Sequence, residues 1–182
     1  MRADQVLAKI ITNTLQVGTE IINGVNVPVY IEPSRVVLEN QETFIAPVKG
    51  LLVLISFAGQ QPYVFARNYQ NFENNTKLKE ILTKAFYSTF AIELLSQDFS
   101  AIEYQEKLLL FLNGYKSQEL QMQYNVSIQT ANSSWASLSF LEGATRNYRF
   151  RISINMYHGV SIESEVPAIN TININNSYNY VK

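Results

Sequence analysis

Side chains able to do acid–base work at neutral pH are scarce in this sequence. Its one imidazole is His158, followed by Gly159 at the end of a strongly alternating stretch, a context that reads as a turn rather than a poised base. There is no cysteine, which removes disulfides, thiolate metal sites and thiol nucleophiles together. Glu103 and Glu106 share one face of an expected helix. The first reads as a cap residue and the second as part of a solvated side, so they do not supply the converging oxygens a divalent cation needs. The glycines Gly18, Gly24, Gly50, Gly59, Gly114, Gly143 and Gly159 are scattered, and no phosphate-cradling G-x-x-x-x-G-K-[ST] or G-x-G-x-x-G occurs. Sequons at Asn74, Asn125, Asn132 and Asn175 are what so Asn-rich a chain contains by chance. The residues point to no catalytic set, no metal site and no cofactor, hence to a protein that is not an enzyme.

Recognition chemistry is better represented. Arg146, Arg149 and Arg151 make the one basic cluster, and Arg149 and Arg151 share the outward face of an alternating strand. Two readings stand. They pair with acids of a neighbouring strand or subunit, or they line a channel and meet phosphate. A formal net charge of −1 argues against a strong sequence-independent grip on nucleic acid. Tyr63, Phe65, Tyr69 and Phe72 have the chemistry to stack on bases or sugars. Tyr63 and Phe65 alternate on a strand, however, so core packing accounts for them, and Tyr69 with Phe72 anchors a polar loop.

The elements that must position these groups centre on 85–114, AFYSTFAIELLSQDFSAIEYQEKLLLFLNG. Phe86, Phe90, Ile92 and Leu94 alternate with Tyr87, Thr89 and Glu93, a period-2 strand. The spacing then turns helical, with Ala101, Tyr104, Leu108, Phe111 and Leu112 on one stripe. Ser100-x-x-Glu103 fits a capping box, Phe99 and Tyr104 take the staple positions, and Gly114 supplies the stop. Upstream, Val6, Leu7, Ile10, Ile11 and Leu15 predict an amphipathic helix over 4–15 that ends by Gly18. Asn23-Gly24 between Ile21-Ile22 and Val25-x-Val27 is the strongest short hairpin signal, and Pro28 confines that hairpin to a sheet edge or makes it an arm that adds strands to a neighbour.

Pro33 and Pro47 bound one or two short extended pieces. LLVLISF (51–57) is a fully buried strand, AGQQP a turn, YVFAR (63–67) a returning strand and NYQNFENNTKLKE a polar loop. After Gly114, a possible Ser117 cap predicts a short helix that gives way to a strand near Val126. In YRFRISINMY, Tyr148, Phe150, Ile152, Ile154 and Met156 point inward and Arg149, Arg151, Ser153 and Asn155 outward. The Asn-rich segment from Pro167 reads as an extended tail.

These elements predict an α+β fold, a mixed, mainly antiparallel sheet with helices packed on one face. A single domain over 1–166 carries a projecting hairpin arm at about 19–31, and 167–182 forms an extended C-terminal arm. At 182 residues such a chain buries roughly 70% of its unfolded surface without staples. No run approaches a membrane span, and Asp4 and Lys9 inside the first apolar pattern rule out a secretory signal.

The order of an N-terminal helix, the strand pair containing Pro62, Tyr63 and Val64, the strand–helix unit with 101–112, and Arg146 with the late strand 148–157 resembles the tail-terminator and tail-completion (neck) proteins of tailed bacteriophages. The resemblance covers about 50–160. It implies a structural virion protein, in the tail or neck and in the host cytoplasm during assembly. Copies would form a homo-oligomeric ring, hexameric in that family, that ends the tail tube and joins it to neck or head-completion proteins. It implies no membrane and at most non-specific contact with DNA in a lumen. Arg146, Arg149, Arg151, Asn23 and Gly24 would then serve interfaces or the lumen. Another head–tail connector or tail-tube adaptor is the near alternative. A carbohydrate- or surface-binding module using exposed Tyr and Asn is an alternative of a different class.

Overall fold

Two-residue periodicity outweighs helical spacing in this chain, and strands dominate the fold. The computed structural model describes residues 2–39, 49–72, 77–130, 134–142 and 145–167. Among these, helix α1 spans Ala3–Thr14, α2 Ser100–Asn113 and α3 Tyr115–Gln123. The strands are β1 (Gln16–Ile22), β2 (Val25–Tyr30), β3 (Val36–Leu38), β4 (Leu52–Phe72), β5 (Lys77–Ser96), β6 (Val126–Gln129), β7 (Ala136–Ser137), β8 (Phe140–Glu142) and β9 (Thr145–Pro167). The architecture is α+β, with a mixed sheet of mostly antiparallel strands.

β1 and β2 form a two-stranded sheet of their own. The other strands make a seven-stranded sheet ordered β3-β4-β5-β9-β6, with β7 and β8 also paired to β9. β3 and β4 run parallel, while β6, β7 and β8 run antiparallel to β9. The chain divides into two compact units, one of Met1–Tyr63 with Ala85–Gly159 and the other of Val64–Lys84 with Val160–Lys182.

The larger unit holds the core. Leu7, Ile10 and Ile11 of α1, Leu108 and Leu112 of α2, Val53 and Ile55 of β4, Phe90, Ile92 and Leu94 of β5, and Ile152, Ile154 and Met156 of β9 are fully or almost fully buried. Of the inward sets expected of the strand–helix unit and the late strand, Phe90, Ile92, Leu94, Ala101, Leu108, Leu112, Ile152, Ile154 and Met156 are buried. Phe86, Tyr104, Phe111, Tyr148 and Phe150 are half-buried, while Glu93, expected outward, is buried too. Leu51 to Ser56 is buried on both faces, as its continuous apolar run requires, but Phe57, expected to be buried with them, is 49% exposed.

Polar ladders join the strands of the smaller unit. Arg67 pairs with Glu80 at 3.2 Å and Lys79 with Glu163 at 2.5 Å, and the hydroxyls of Thr83 and Ser161 lie 3.0 Å apart.

Several local expectations give way. The turn expected at AGQQP is absent, because β4 continues unbroken from Leu52 to Phe72. β3 pairs with β4 at Val53, Leu54 and Ile55, so Pro62, which has no N–H to give, lies beyond the stretch that β3 covers. Most of the expected polar loop after Arg67 is likewise strand, in β4 and β5; 73–76 lie outside the described residues. α1 ends at Thr14, and Gly18 lies inside β1 rather than stopping the helix. The helix-to-strand switch near Val126 is as expected, but Ser117 is a buried interior residue of α3, its hydroxyl accepting from Gln121 Nε2 at 3.0 Å, and not a cap. The extended arm at 168–182 lies outside the described residues.

The capping box at Ser100 does not form. Helix α2 starts one residue after Phe99, and its free N–H groups go to other acceptors. The N–H of Ser100 donates to Asp98 Oδ1 at 2.9 Å, and that of Ala101 to Ser96 Oγ at 3.0 Å. Asp98 Oδ2 also accepts the N–H of Gly50 at 2.9 Å, tying the entry to β4 to the start of α2. Gly50 holds φ at +81°, where only glycine sits without strain. Phe99 turns outward, 65% exposed, with its ring 5.3 Å from that of Tyr148, so the staple to Tyr104 is not made either.

The Ser100 hydroxyl, then its N–H, holds the Asp98 carboxyl below its ordinary value of 3.8. A depressed carboxyl contributes stability that is complete above its unfolded value and lost as pH falls through the folded one. Asp98→Ala, which removes the acceptor of the Ser100 and Gly50 N–H groups, is expected to cost about 1 kcal/mol at neutral pH, read as a lower urea midpoint, and the difference from wild type is expected to shrink below pH 3.8.

Candidate functional site

Asn23 and Gly24 adopt φ of +50° and +79°, the two positive values that a type I′ turn demands. The turn fixes the register Ile22↔Val25, Ile21↔Asn26, Glu20↔Val27, Thr19↔Pro28 and Gly18↔Val29. Directly opposed residues share a face, so Ile22, Val25, Val27 and Val29 gather on one side with Glu20, while Ile21, Asn26, Thr19 and Pro28 take the other. Gly18 to Pro28 is exposed throughout, with Ile21 at 76%, Val25 at 63% and Ile22 at 51%.

Among the described residues, the hairpin is anchored at its root. Ile31 N–H donates to Leu15 O at 3.0 Å, the Tyr104 hydroxyl donates to Val17 O at 2.8 Å, and Lys116 Nζ lies 3.8 Å from the Tyr30 ring centre. Burial, then Glu103, raises the Tyr104 hydroxyl above its ordinary pKa. A cavity of about 310 Å³ opens at this root, walled by Val17, Val29, Ile31, Leu51 and Tyr104, with Arg35 at its margin.

A second surface lies on the outward side of β5 and β9. Glu93 is only 3% exposed. Its Oε2 accepts from Arg149 Nε at 2.7 Å and from Nη2 at 2.5 Å, and Oε1 lies 3.5 Å from Arg151 Nε. Of the two readings of these arginines, pairing with an acid on the neighbouring strand is what the geometry shows. Arg149 is spent on Glu93 in a two-point contact, whereas Arg151, with 46% of its side chain exposed, is held loosely. Arg146 stands opposite Leu141 in the β8–β9 ladder.

The same face continues as a polar and aromatic row. Thr89 Oγ1 donates to Asn155 Oδ1 at 3.0 Å, and the Tyr157 ring meets Tyr87 edge-on at 4.9 Å and Tyr63 at 5.6 Å. Core packing does not account for Tyr63 and Phe65, which are 67% and 62% exposed. Alternation alone assigned them inward, and β4 outlasts the core that its first residues enter. Tyr69 and Phe72 lie in β4 rather than a loop; their side chains are outside the described residues.

His158 is not in a turn but inside β9, on the same side of the strand as Met156. Its Nε2 lies 2.9 Å from Ser88 Oγ, and its ring stacks on Phe86 at 5.5 Å. Ser88 is 1% exposed and His158 half-buried, and the pair reads as a satisfied polar contact at the end of the core. Burial lowers the His158 pKa below 6.5. The unfolded chain then binds the proton more readily than the folded one. Stability is full above pH 6.5 and declines as pH falls from there toward the folded value. His158→Gln is expected to remove this part of the decline, seen as a smaller drop in melting temperature between pH 7.5 and 5.5.

Sequence reasoning missed Glu93. It was visible as an acid on the outward side of an aromatic strand, but its meaning depends on β5 lying beside β9, a pairing of residues more than fifty positions apart. Among the described residues no group of three or more His, Asp or Glu converges as metal ligands, and no helix is long and apolar enough to cross a membrane. No protein-family model and no curated protein matches the chain.

Proposed function

We propose that the chain is a structural subunit of a homo-oligomeric ring, of the kind that ends a phage tail tube and connects it to the head or neck. The observation that carries this reading is the β1–β2 hairpin, whose two faces are both open to solvent. An isolated two-stranded hairpin is marginal in water, and one that gathers Ile22, Val25, Val27 and Val29 on a single side has a seam to bury. A neighbouring copy supplies the cover, and repetition of the same head-to-tail contact closes a ring. Of Arg149 and Arg151, Arg151 is the one available to a neighbour or to a lumen; Arg149 is already committed to Glu93.

A second reading, a carbohydrate- or surface-binding module, is favoured by the exposed Tyr63 beside Tyr157, Tyr87 and Asn155. Molar mass separates the two. The ring reading expects the purified full chain to sediment as a discrete assembly of several copies that binds tail tubes. The binding-module reading expects single chains retained on a glycan surface, with retention lost in Tyr63→Ala.

A further inference from the structure

The hairpin register also says which of its edges can accept another strand. A two-residue turn makes the flanking pair, Ile22↔Val25, the hydrogen-bonded one, and the alternation then repeats at Glu20↔Val27 and Gly18↔Val29. The main-chain groups of Thr19 and Ile21 therefore point outward along the free edge of β1. Those of Asn26 and Pro28 point outward along β2, where Pro28 has no N–H to offer. Neither edge has a partner among the described residues, since β1 and β2 form a sheet of two strands. The β1 edge alone carries a full set of donors and acceptors.

The chain also contains a segment suited to that edge. Of the stretches outside the described residues, 40–48 carries Pro47 and 73–76, 131–133 and 143–144 are too short. In 168–182, Ile172, Ile174, Tyr178 and Tyr180 fall on one side at strand period, with Asn173, Asn175, Ser177 and Asn179 on the other. A third strand of this pattern would extend the apolar side of the hairpin and raise it to the three strands that independent stability requires.

We infer that the free edge of β1 receives residues 168–182 of a second copy by β-strand addition. This rests on the ring reading and names the contact that would link one subunit to the next. Main-chain hydrogen bonds at Thr19 and Ile21 give the affinity, and the apolar side of the arm, set beside Ile22, Val25 and Val27, gives the register.

Amide hydrogen exchange on the full chain tests it, compared with an otherwise full-length variant carrying Ile172→Pro and Ile174→Pro, whose arm cannot donate. In the assembled wild type the Thr19 and Ile21 amides are expected to exchange at least about tenfold more slowly than in the variant, while Glu20 and Ile22, already bonded within the hairpin, change little. Equal rates in the two proteins, with the wild type still assembled, overturn the inference and leave the ring reading standing. A wild type that is monomeric throughout overturns both.

The source of the arm is read by mixing single-cysteine chains, Glu20→Cys with Ile172→Cys or Ile174→Cys, in a protein that has no cysteine of its own. A disulfide between the two mixed chains is expected. One that forms only when a single chain carries both cysteines shows the arm on its own hairpin and overturns the proposal.

Discussion

Arg149→Ala is expected to cost about 3 kcal/mol of folding stability, while Glu93→Gln costs about 1 kcal/mol. The two partners of one ion pair differ because they are buried to different degrees. Glu93 is 3% exposed and cannot reach water when its partner is removed. Without Arg149 it faces only Arg151 Nε at 3.5 Å, so most of its desolvation goes uncompensated. Losing the carboxylate is milder, since the side chains of Arg149 and Arg151 are 36% and 46% exposed and can rehydrate in place. Arg151→Ala, which removes the looser contact, is expected to cost about 0.5 kcal/mol.

Urea unfolding of the three variants gives the ranking. Similar small losses for Arg149→Ala and Glu93→Gln would show that Glu93 is solvated and the pair ornamental. The asymmetry also decides which arginine can report on assembly. Reversing the charge of Arg149 sets a second carboxylate against a buried one, so any loss of assembly in that variant would be loss of fold. Arg151→Glu, with Arg151→Ala beside it, is the cleaner probe.

The second expected result concerns the hairpin. Ile22→Thr together with Val25→Thr is expected to weaken self-association by about 100-fold or more, on the order of 3 kcal/mol for two branched apolar side chains no longer buried between copies. Threonine keeps the β preference, and both positions are solvent-exposed in the single chain, so folding stability should change by less than about 0.5 kcal/mol. Ile21→Thr is the matched control. It is the most exposed of these residues, at 76%, but it stands on the other face with Asn26, Thr19 and Pro28. A smaller effect there than at Ile22 would show that one face, rather than general greasiness, makes the contact. Dissociation constants from the concentration dependence of molar mass supply the comparison.

Much of the fold could be read from residue order, where the signal was local. The Asn23-Gly24 turn, the stripe of α2, the passage from α3 into β6 and the inward set of β9 all follow from spacing and turn chemistry within a few residues. The failures share a cause as well. Gly59 and Pro62 look like a turn, and lie inside a strand that runs on past β3 with β5 as its neighbour. Ser100 looks like a cap, and is displaced because Ser96 and Asp98 reach the same N–H groups while Asp98 also bonds Gly50, forty-eight positions away. His158 looks like a turn residue, and belongs to a strand that runs on to Pro167. In each case groups outside the local repeat decide, and periodicity cannot name them. For β4 and β9 it is a neighbouring strand, and for α2 the Ser96 and Asp98 side chains. The candidate surfaces divide the same way. Asn23 and Gly24 announce the hairpin, Arg149 and Arg151 announce a charged face, and only the β5–β9 pairing reveals that Glu93 already occupies most of it.

The molar mass of the purified full chain, followed by light scattering over a wide concentration range beside the Ile22→Thr, Val25→Thr variant, tests the central claim most directly. Subunits joined through the hairpin predict a discrete multiple of the chain mass for the wild type and single chains for the variant. A wild type that keeps the mass of one chain at the highest concentrations would contradict it.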